Sequence, residues 1–357
     1  MKIQIEKKDL AKLIGRVAKA AAVTDTVPVL QGLYLEAKEG RLIAKASNME
    51  VSIKDATAEI QLNEEGKCLV NARYLDNFVK QLPESVVSLE VEDNVLHVKY
   101  GRNKAKVPLI AGDYLDFPIC ETLVGTFPAE ELKKAISIIL PCVAKQHFRA
   151  VFTGVLMDFM ADKTVVVGSD THRLATYEIG VGGEPRQLII PFNGAAEIAR
   201  IDEEVEIYAS ENSVLFKAGY LEIYTRLISG LYPDYTKVIP TNFVCEAELP
   251  TKKLRQALQR LNTLPAEAKK AIPVVEVQLN GNITLSSTGD SGEINEIIEV
   301  EKTGEDLTLS FNRDYLLEAV KGLNFETLKF SFSGKQSPAK IVGNENSQIT
   351  LVPLFAN

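Results

Sequence analysis

The sequence predicts an α+β protein of three repeated domains, each with two helices packed on antiparallel sheets. Three observations predict it. Amphipathic stretches recur at a fixed interval: KKDLAKLIGRVAKA, AEELKKAISIILPC and TKKLRQALQRLNTL place Leu10, Leu132 and Leu254 in one register, 122 residues apart. A second helical stretch follows each by about 60 residues: NARYLDNFVKQL, PFNGAAEIARI and FNRDYLLEAVKGL. The segments between them alternate apolar and polar residues and are rich in β-branched types, as in SLEVEDNVLHVKY, EVEIYASENSVLFKAG and LKFSFSG. That alternation marks half-buried antiparallel strands. The period is too long for a solenoid. The expected domains are 1–122, 123–244 and 245–357.

Taken in order, the strand IQIE leads into the first helix. There Leu10, Leu13, Ile14 and Val17 form an apolar stripe, and Lys8, Lys12, Arg16 and Lys19 fall on the opposite side. CLV precedes the second helix, and GTFP the third, where Glu130 and Glu131 sit beside Lys133 and Lys134. LII precedes the fourth and EAEL the fifth. The fifth carries Lys252, Lys253, Arg255 and Arg260, with no acid between Thr251 and Asn262. LTLS precedes the sixth.

Composition narrows the function classes. A chain of 357 residues exceeds one ordinary core. The net charge of −8 excludes a surface that is basic all over, yet a local basic surface can sit on an acidic body. No apolar run of about 18 residues occurs, so no membrane span is expected. The start MKIQIEKKDL has no apolar h-region, so no signal peptide is expected. Cys68, Cys120, Cys142 and Cys245 lie far apart, and only His97, His147 and His172 accompany them. That spacing predicts no zinc site and a reducing, cytoplasmic setting.

One stretch invites a catalytic reading. GSDTHRLATY, residues 168–177, places Asp170, His172 and Arg173 within four positions. They read either as an acid, a base and an anion clamp, or as a loop held by its own hydrogen bonds that presents a surface. Acid–base catalysis also needs a substrate site. The sequence has no nucleophile elbow, no P-loop and no G-x-G-x-x-G, and GVGG (180–183) reads as a turn. The expectation is a non-enzyme without a cofactor.

Six landmarks in fixed order carry a resemblance: VPVLQGLYLEA (27–37), FRAVFTGVLMDF (148–159), GSDTHRLA (168–175), LISGLYPDYTKVIP (227–240), FNRDYLLEAVKGL (311–323) and ITLVPL (349–354). With them the chain resembles the bacterial sliding clamps, the DNA polymerase III beta subunits. The resemblance implies a ring of six clamp domains made by a head-to-tail homodimer, with helices lining the hole. It implies a processivity factor that encircles duplex DNA irrespective of sequence. Such a clamp tethers the polymerase III alpha subunit, the clamp loader and other proteins through a peptide groove between domains two and three. Sliding needs weak phosphate attraction rather than base readout. That role falls to Lys12, Arg16, Lys19, Lys80, Lys134, Arg200, Lys252 and Arg313, and Gln146 matches a family position that reaches toward DNA.

By the same resemblance the groove wall includes Phe152, Ser169, Thr171, His172, Arg173 and Leu174. Pro233, Lys237 and Val238 join it, then Thr350, Leu351, Val352, Pro353 and Leu354, with Arg149, Asn312 and Tyr315 at its border. The subunit seam is expected where Lys104 and Lys106 share one strand face in domain one and Glu299 and Glu301 share one in domain three. Val107 and Leu264 stand beside it, while Ala105 occupies a position that is usually bulky in the family. Other departures are Asp25 in VTDT, where an Arg is common, Thr171 in place of a Gly, Phe152 in place of a Leu, and the tail Leu354-Phe355-Ala356-Asn357 without a basic residue. They point to a divergent clamp with altered partner choice, one alternative being a specialised second clamp. The alternative is a non-encircling DNA-binding module on the same repeat.

Overall fold

The structure is a computed structural model; it describes residues 1–24, 26–57, 59–114, 116–265 and 272–354. Asp25 and the tail residues Phe355, Ala356 and Asn357 lie outside the described residues. Among the described residues are six α-helices: α1 Lys7–Val17, α2 Ala72–Lys80, α3 Ala129–Ile139, α4 Phe192–Ile198, α5 Thr251–Leu261 and α6 Arg313–Gly322. They fall where the repeat predicts, and a strand precedes each. The apolar stripe of α1 is buried through Leu10, Leu13, Ile14 and Val17. Asn71 caps α2 by accepting from the Tyr74 amide at 2.9 Å, and Asn312 caps α6 by accepting from Asp314 at 2.9 Å. Such side-chain oxygens satisfy helix-start amides that have no partner within the helix.

The chain divides into two compact units, residues 1–129 with 201–227, and 130–200 with 228–357. The first unit holds two antiparallel sheets. One is five-stranded, in the order Gln61–Glu64, Lys2–Glu6, Val86–Glu92, Val95–Tyr100, Asn103–Pro108. The other is eight-stranded and continuous across the first and second repeats, because Val51–Ala56 pairs with Leu221–Arg226. In the second unit a nine-stranded sheet does the same for the second and third repeats, where Arg173–Ile179 pairs with Ser347–Leu351. Its companion is a four-stranded sheet, in the order Gly292–Ile298, Ile283–Gly289, Val274–Leu279, Leu307–Asn312. Three sequence repeats thus form two compact units. Strand pairing passes through the repeat boundaries, and the second repeat is shared between both units.

One expected strand is corrected. Glu299 and Glu301 do not lie on a strand: the edge strand ends at Ile298, and the next begins at Lys302. Ile283 pairs with Ile298 in the four-stranded sheet, whereas Lys302 pairs with Ala247 in the nine-stranded one. Residues 299–301 carry the chain from one sheet to the other, so the alternating pattern outruns the strand. GVGG lies in the connection between the strands Arg173–Ile179 and Arg186–Pro191, where a Cβ on Gly182 would lie 2.2 Å from the Ala161 carbonyl oxygen.

Candidate peptide groove and nucleic-acid interface

Residues 169–173 join the strands Thr164–Ser169 and Arg173–Ile179 by a turn built from side chains. The Asp170 carboxylate accepts from the His172 and Arg173 amides, both at 3.0 Å, and its other oxygen accepts from Arg173 Nε at 3.0 Å. The Thr171 amide donates to Ser169 Oγ at 3.1 Å. Thr171 sits at φ 74°, in the left-handed region that a β-branched residue rarely adopts.

The same turn occurs 122 residues earlier. Asn48 Oδ1 accepts from the Glu50 and Val51 amides at 3.1 and 2.8 Å. The Met49 amide donates to Ser47 Oγ at 3.1 Å, and Met49 lies at φ 73°. Each turn also hands on to a neighbouring strand: Arg226 N donates to Glu50 O at 3.1 Å, and Val352 N to His172 O at 3.0 Å. The backbone of the Asp-Thr-His-Arg stretch is therefore a repeat feature of the fold, and it recurs without a His or an Arg.

Arg173 is 7% exposed. Besides Asp170 it donates to Glu318 Oε2 at 2.6 Å and to the Pro141 carbonyl at 2.5 Å, and its guanidinium lies 4.0 Å from the Tyr315 ring centroid. It ties the turn to the end of α3 and the start of α6. Asp170 is committed to backbone amides and the Arg173 side chain, so it forms no dyad with the His172 ring. His172 is exposed, with its ring 6.4 Å from that of Tyr315.

A cleft of about 830 Å³ opens beside this turn. Of the expected groove residues it brings together Thr171, His172, Arg173 and Tyr315. It adds Leu140, Pro141, Val143, Ala144 and Phe192, which lie outside the six landmarks. Gln146, expected to face DNA, is exposed at the same cleft. Ala144 also belongs to an apolar cluster with Phe152, Leu174, Tyr232 and Tyr235. The Phe152 ring meets Tyr232 and His147 edge-on at 5.8 and 4.9 Å, and the Arg149 guanidinium lies 5.3 Å from its centroid. Burial pushes the Tyr232 hydroxyl pKa upward, which keeps the phenol neutral. Val238 is 48% exposed at this end, and two apolar side chains that lie in the landmarks but were not expected in the groove are more so, Phe148 at 91% and Leu231 at 81%. Lys237 is exposed and paired with Asp234 at 3.1 Å; Pro233 is half-buried.

Several expected groove residues are foundation rather than wall. Ser169, Leu174, Thr350 and Leu351 are buried; Leu174 pairs with Thr350, and Arg173 with Leu351. Asn312 serves as the cap of α6. Val352 and Leu354 are half-buried, Pro353 is buried, and Leu354 N donates to Ser310 O at 2.7 Å.

The basic set divides as well. Arg313 is corrected: it is buried, and it donates to Asn262 Oδ1, Ser287 Oγ and the carbonyls of Leu261 and Leu264 at 2.8–3.0 Å. It holds the end of α5 and cannot reach DNA. Arg16 pairs with Asp55 at 2.8 Å, Lys80 with Asp76 at 2.5 Å and Lys134 with Glu131 at 3.0 Å; Arg200 pairs with Glu197. Lys12, Lys19 and Lys252 are exposed, and Lys12 and Lys252 make no ion pair among the described residues. At the expected seam, Lys104 and Lys106 are exposed on the strand Asn103–Pro108, a free sheet edge. Ala105 is half-buried, Val107 is buried and Leu264 is 9% exposed. Glu299 and Glu301 are exposed.

Models of the DNA polymerase III beta subunit match the chain in order. The N-terminal domain matches residues 1–121, the central domain 126–234 and the C-terminal domain 236–356. A beta sliding clamp of Bacillus subtilis is 28% identical, over 99% of this chain and 98% of its own length. One of Streptococcus pneumoniae is 26% identical, over 95% and 94%. Among solved structures, a DNA polymerase sliding clamp from Bacillus subtilis matches with a TM-score of 0.92 at 26% identity, over 100% of both chains. The beta subunit from DNA polymerase of Streptococcus pyogenes matches with 0.93 at 21% identity over 100% of both, a likeness of fold.

Proposed function

This chain belongs to the DNA polymerase III beta subunit family and acts as a sliding clamp, a non-catalytic processivity factor; from that premise we propose where it holds its partners, its DNA and its second subunit. The observation that carries the reading is the ordered match of all three family domains to a chain whose own sequence repeats three times.

Partner peptides dock along the line from the cleft at His172 and Tyr315, across Ala144, to the apolar cluster at Phe152. The apolar floor takes Leu or Phe anchors, and Arg149, His147 and Lys237 at the rim favour an acidic flank. The partners are the polymerase III alpha subunit, the clamp loader and other proteins with such peptides. The test is fluorescence polarisation with a synthetic peptide carrying adjacent Leu and Phe anchors. Val352→Ala or Leu354→Ala should weaken binding about tenfold or more. Unchanged affinity in both would remove the C-terminal residues from the groove.

Phe152 and Thr171 favour a second reading, altered partner choice. The Phe152 ring and its neighbour Tyr232 fill space that a smaller side chain would leave to the peptide. Ordinary affinity for a standard polymerase peptide would contradict that reading while leaving the groove intact.

DNA contact falls to Lys12, Lys19 and Lys252, with Gln146 near the partner cleft. Arg16, Lys80, Lys134 and Arg200 exchange a local carboxylate for a phosphate, since exposed ion pairs contribute little. Two copies close head-to-tail, the edge at Asn103–Pro108 meeting the edge at Gly292–Ile298, with domains divided at 1–122, 123–244 and 245–357. Family membership also supports a cytoplasmic location; among the described residues no helix is long and apolar enough to cross a membrane.

A further inference from the structure

A row of side chains crosses the nine-stranded sheet beside the proposed groove. Cross-strand pairing sets Ser169 opposite Leu174, Leu174 opposite Thr350, Thr350 opposite Lys340, Lys340 opposite Ser331 and Ser331 opposite Glu246. Residues directly opposite share one face of a sheet. Leu174 belongs to the apolar cluster with Phe152 and Tyr235, so the row lies on the face that carries this cluster. The strand neighbours Leu351 and Ala339 point the other way, into the core with Leu254 of α5 and Leu316 of α6. The row thus faces away from the helices proposed to meet DNA.

Both ends of the row are paired. Ser169 Oγ donates to the Arg173 carbonyl at 2.8 Å, and Ser331 Oγ donates to Glu246 at 2.9 Å. Glu246 also pairs with Lys329 at 3.0 Å. The middle differs. Thr350 is 2% exposed, and its hydroxyl has no hydrogen-bond partner among the described residues. Lys340 is half-buried, with its ammonium 5.9 Å from the Phe243 ring centroid. Burial, and then the charge of Lys329, hold its pKa below the ordinary lysine value, and among the described residues no carboxylate offsets this. A buried polar atom without a partner costs free energy that a ligand can recover. An ammonium and a hydroxyl on neighbouring strands can each donate to one oxygen of a single carboxylate. We infer that Lys340 and Thr350 form an acidic-residue subsite, which pairs with an Asp or Glu of a partner peptide whose apolar anchors occupy the cluster at Phe152 and Leu174. The inference rests on the groove proposed above and adds a specificity determinant to its rim cations Arg149 and Lys237.

The test is fluorescence polarisation with synthetic peptides that carry adjacent Leu and Phe anchors. Each peptide is made in a Glu and a Gln version, with that residue at either of the two positions before the anchors or either of the two after them. The proteins are the full chain and its variants Lys340→Met, Thr350→Val and Lys237→Met. At one position the Glu version should bind the unaltered chain about tenfold tighter than the Gln version. Lys340→Met should erase that preference and Thr350→Val should shrink it about threefold, while both keep the affinity of the Gln version within about twofold. Lys237→Met should leave the preference in place. A preference at no position, or one that survives in Lys340→Met, overturns the subsite and leaves the groove standing. Loss of the Gln version in Lys340→Met as well would make Lys340 a structural residue and overturn the subsite. If Val352→Ala and Leu354→Ala leave the binding of every peptide unchanged, the groove reading fails and the subsite fails with it.

Discussion

Arg173 donates from each of its three guanidinium nitrogens, to Asp170, Glu318 and the Pro141 carbonyl, before any ligand arrives. Arg173→Ala should therefore lower stability by about 3 kcal/mol, because it strands the largely buried Asp170 carboxylate and removes the partner of the Pro141 carbonyl. His172→Gln should leave stability within about 0.5 kcal/mol and weaken peptide binding. Thermal unfolding read beside peptide titration separates the two roles. The sequence displayed Asp170, His172 and Arg173 as a cluster. It did not display that one carboxylate oxygen serves two backbone amides, since that depends on φ at Thr171. A signal was present all the same: Ser47-Asn48 stands 122 residues before Ser169-Asp170, at the repeat interval. Arg313 was legible in the same way. Other first helical residues, Ala72, Ala129 and Thr251, are also buried, so a charge at that position goes inward and must be satisfied. Arg313→Ala should cost about 3 kcal/mol or more, with no change in the salt dependence of DNA binding.

At the level of elements, the helices were legible because their apolar stripes repeat at one interval. The free charge on their outer faces was not. Pairs such as Arg16 with Asp55 join α1 to a strand 39 residues away, beyond any periodicity on the helix. On the proposed DNA-facing surface the unpaired basic charge is correspondingly small, as sliding requires. Lys12→Gln and Lys252→Gln should each reduce the slope of log affinity against log salt by about 1 per contact, uniformly across DNA sequences. The five-stranded sheet has its own electrostatic clasp. Glu90 accepts from Lys2 and Lys99, both at 2.7 Å, and these hydrogen bonds hold its carboxyl at about 2, below the ordinary 4.5. A pKa depressed by folding adds stability above the unfolded value, and that contribution disappears as pH falls from about 4.5 towards about 2. Glu90→Gln should lower the melting temperature slightly at neutral pH, where the carboxylate is ionised, and leave it little changed at the acid end of that window, so that its pH dependence flattens.

For the whole molecule, the threefold repeat was open to reading and the division into two compact units was not. Repeats are visible as similar segments along the chain. The continuity of an eight-stranded and a nine-stranded sheet across their boundaries depends on which strand edges meet. The central claim is that this chain holds DNA by enclosing it rather than by gripping it. It is tested most directly by loading the protein onto nicked circular DNA with the cognate clamp loader and ATP, then linearising half of the sample before gel filtration. An enclosing clamp stays with the circles at a salt concentration that abolishes phosphate attraction, and it is lost from the linear molecules. Equal retention on both, or equal loss from both as salt rises, would contradict enclosure and leave a surface binder built on the same fold.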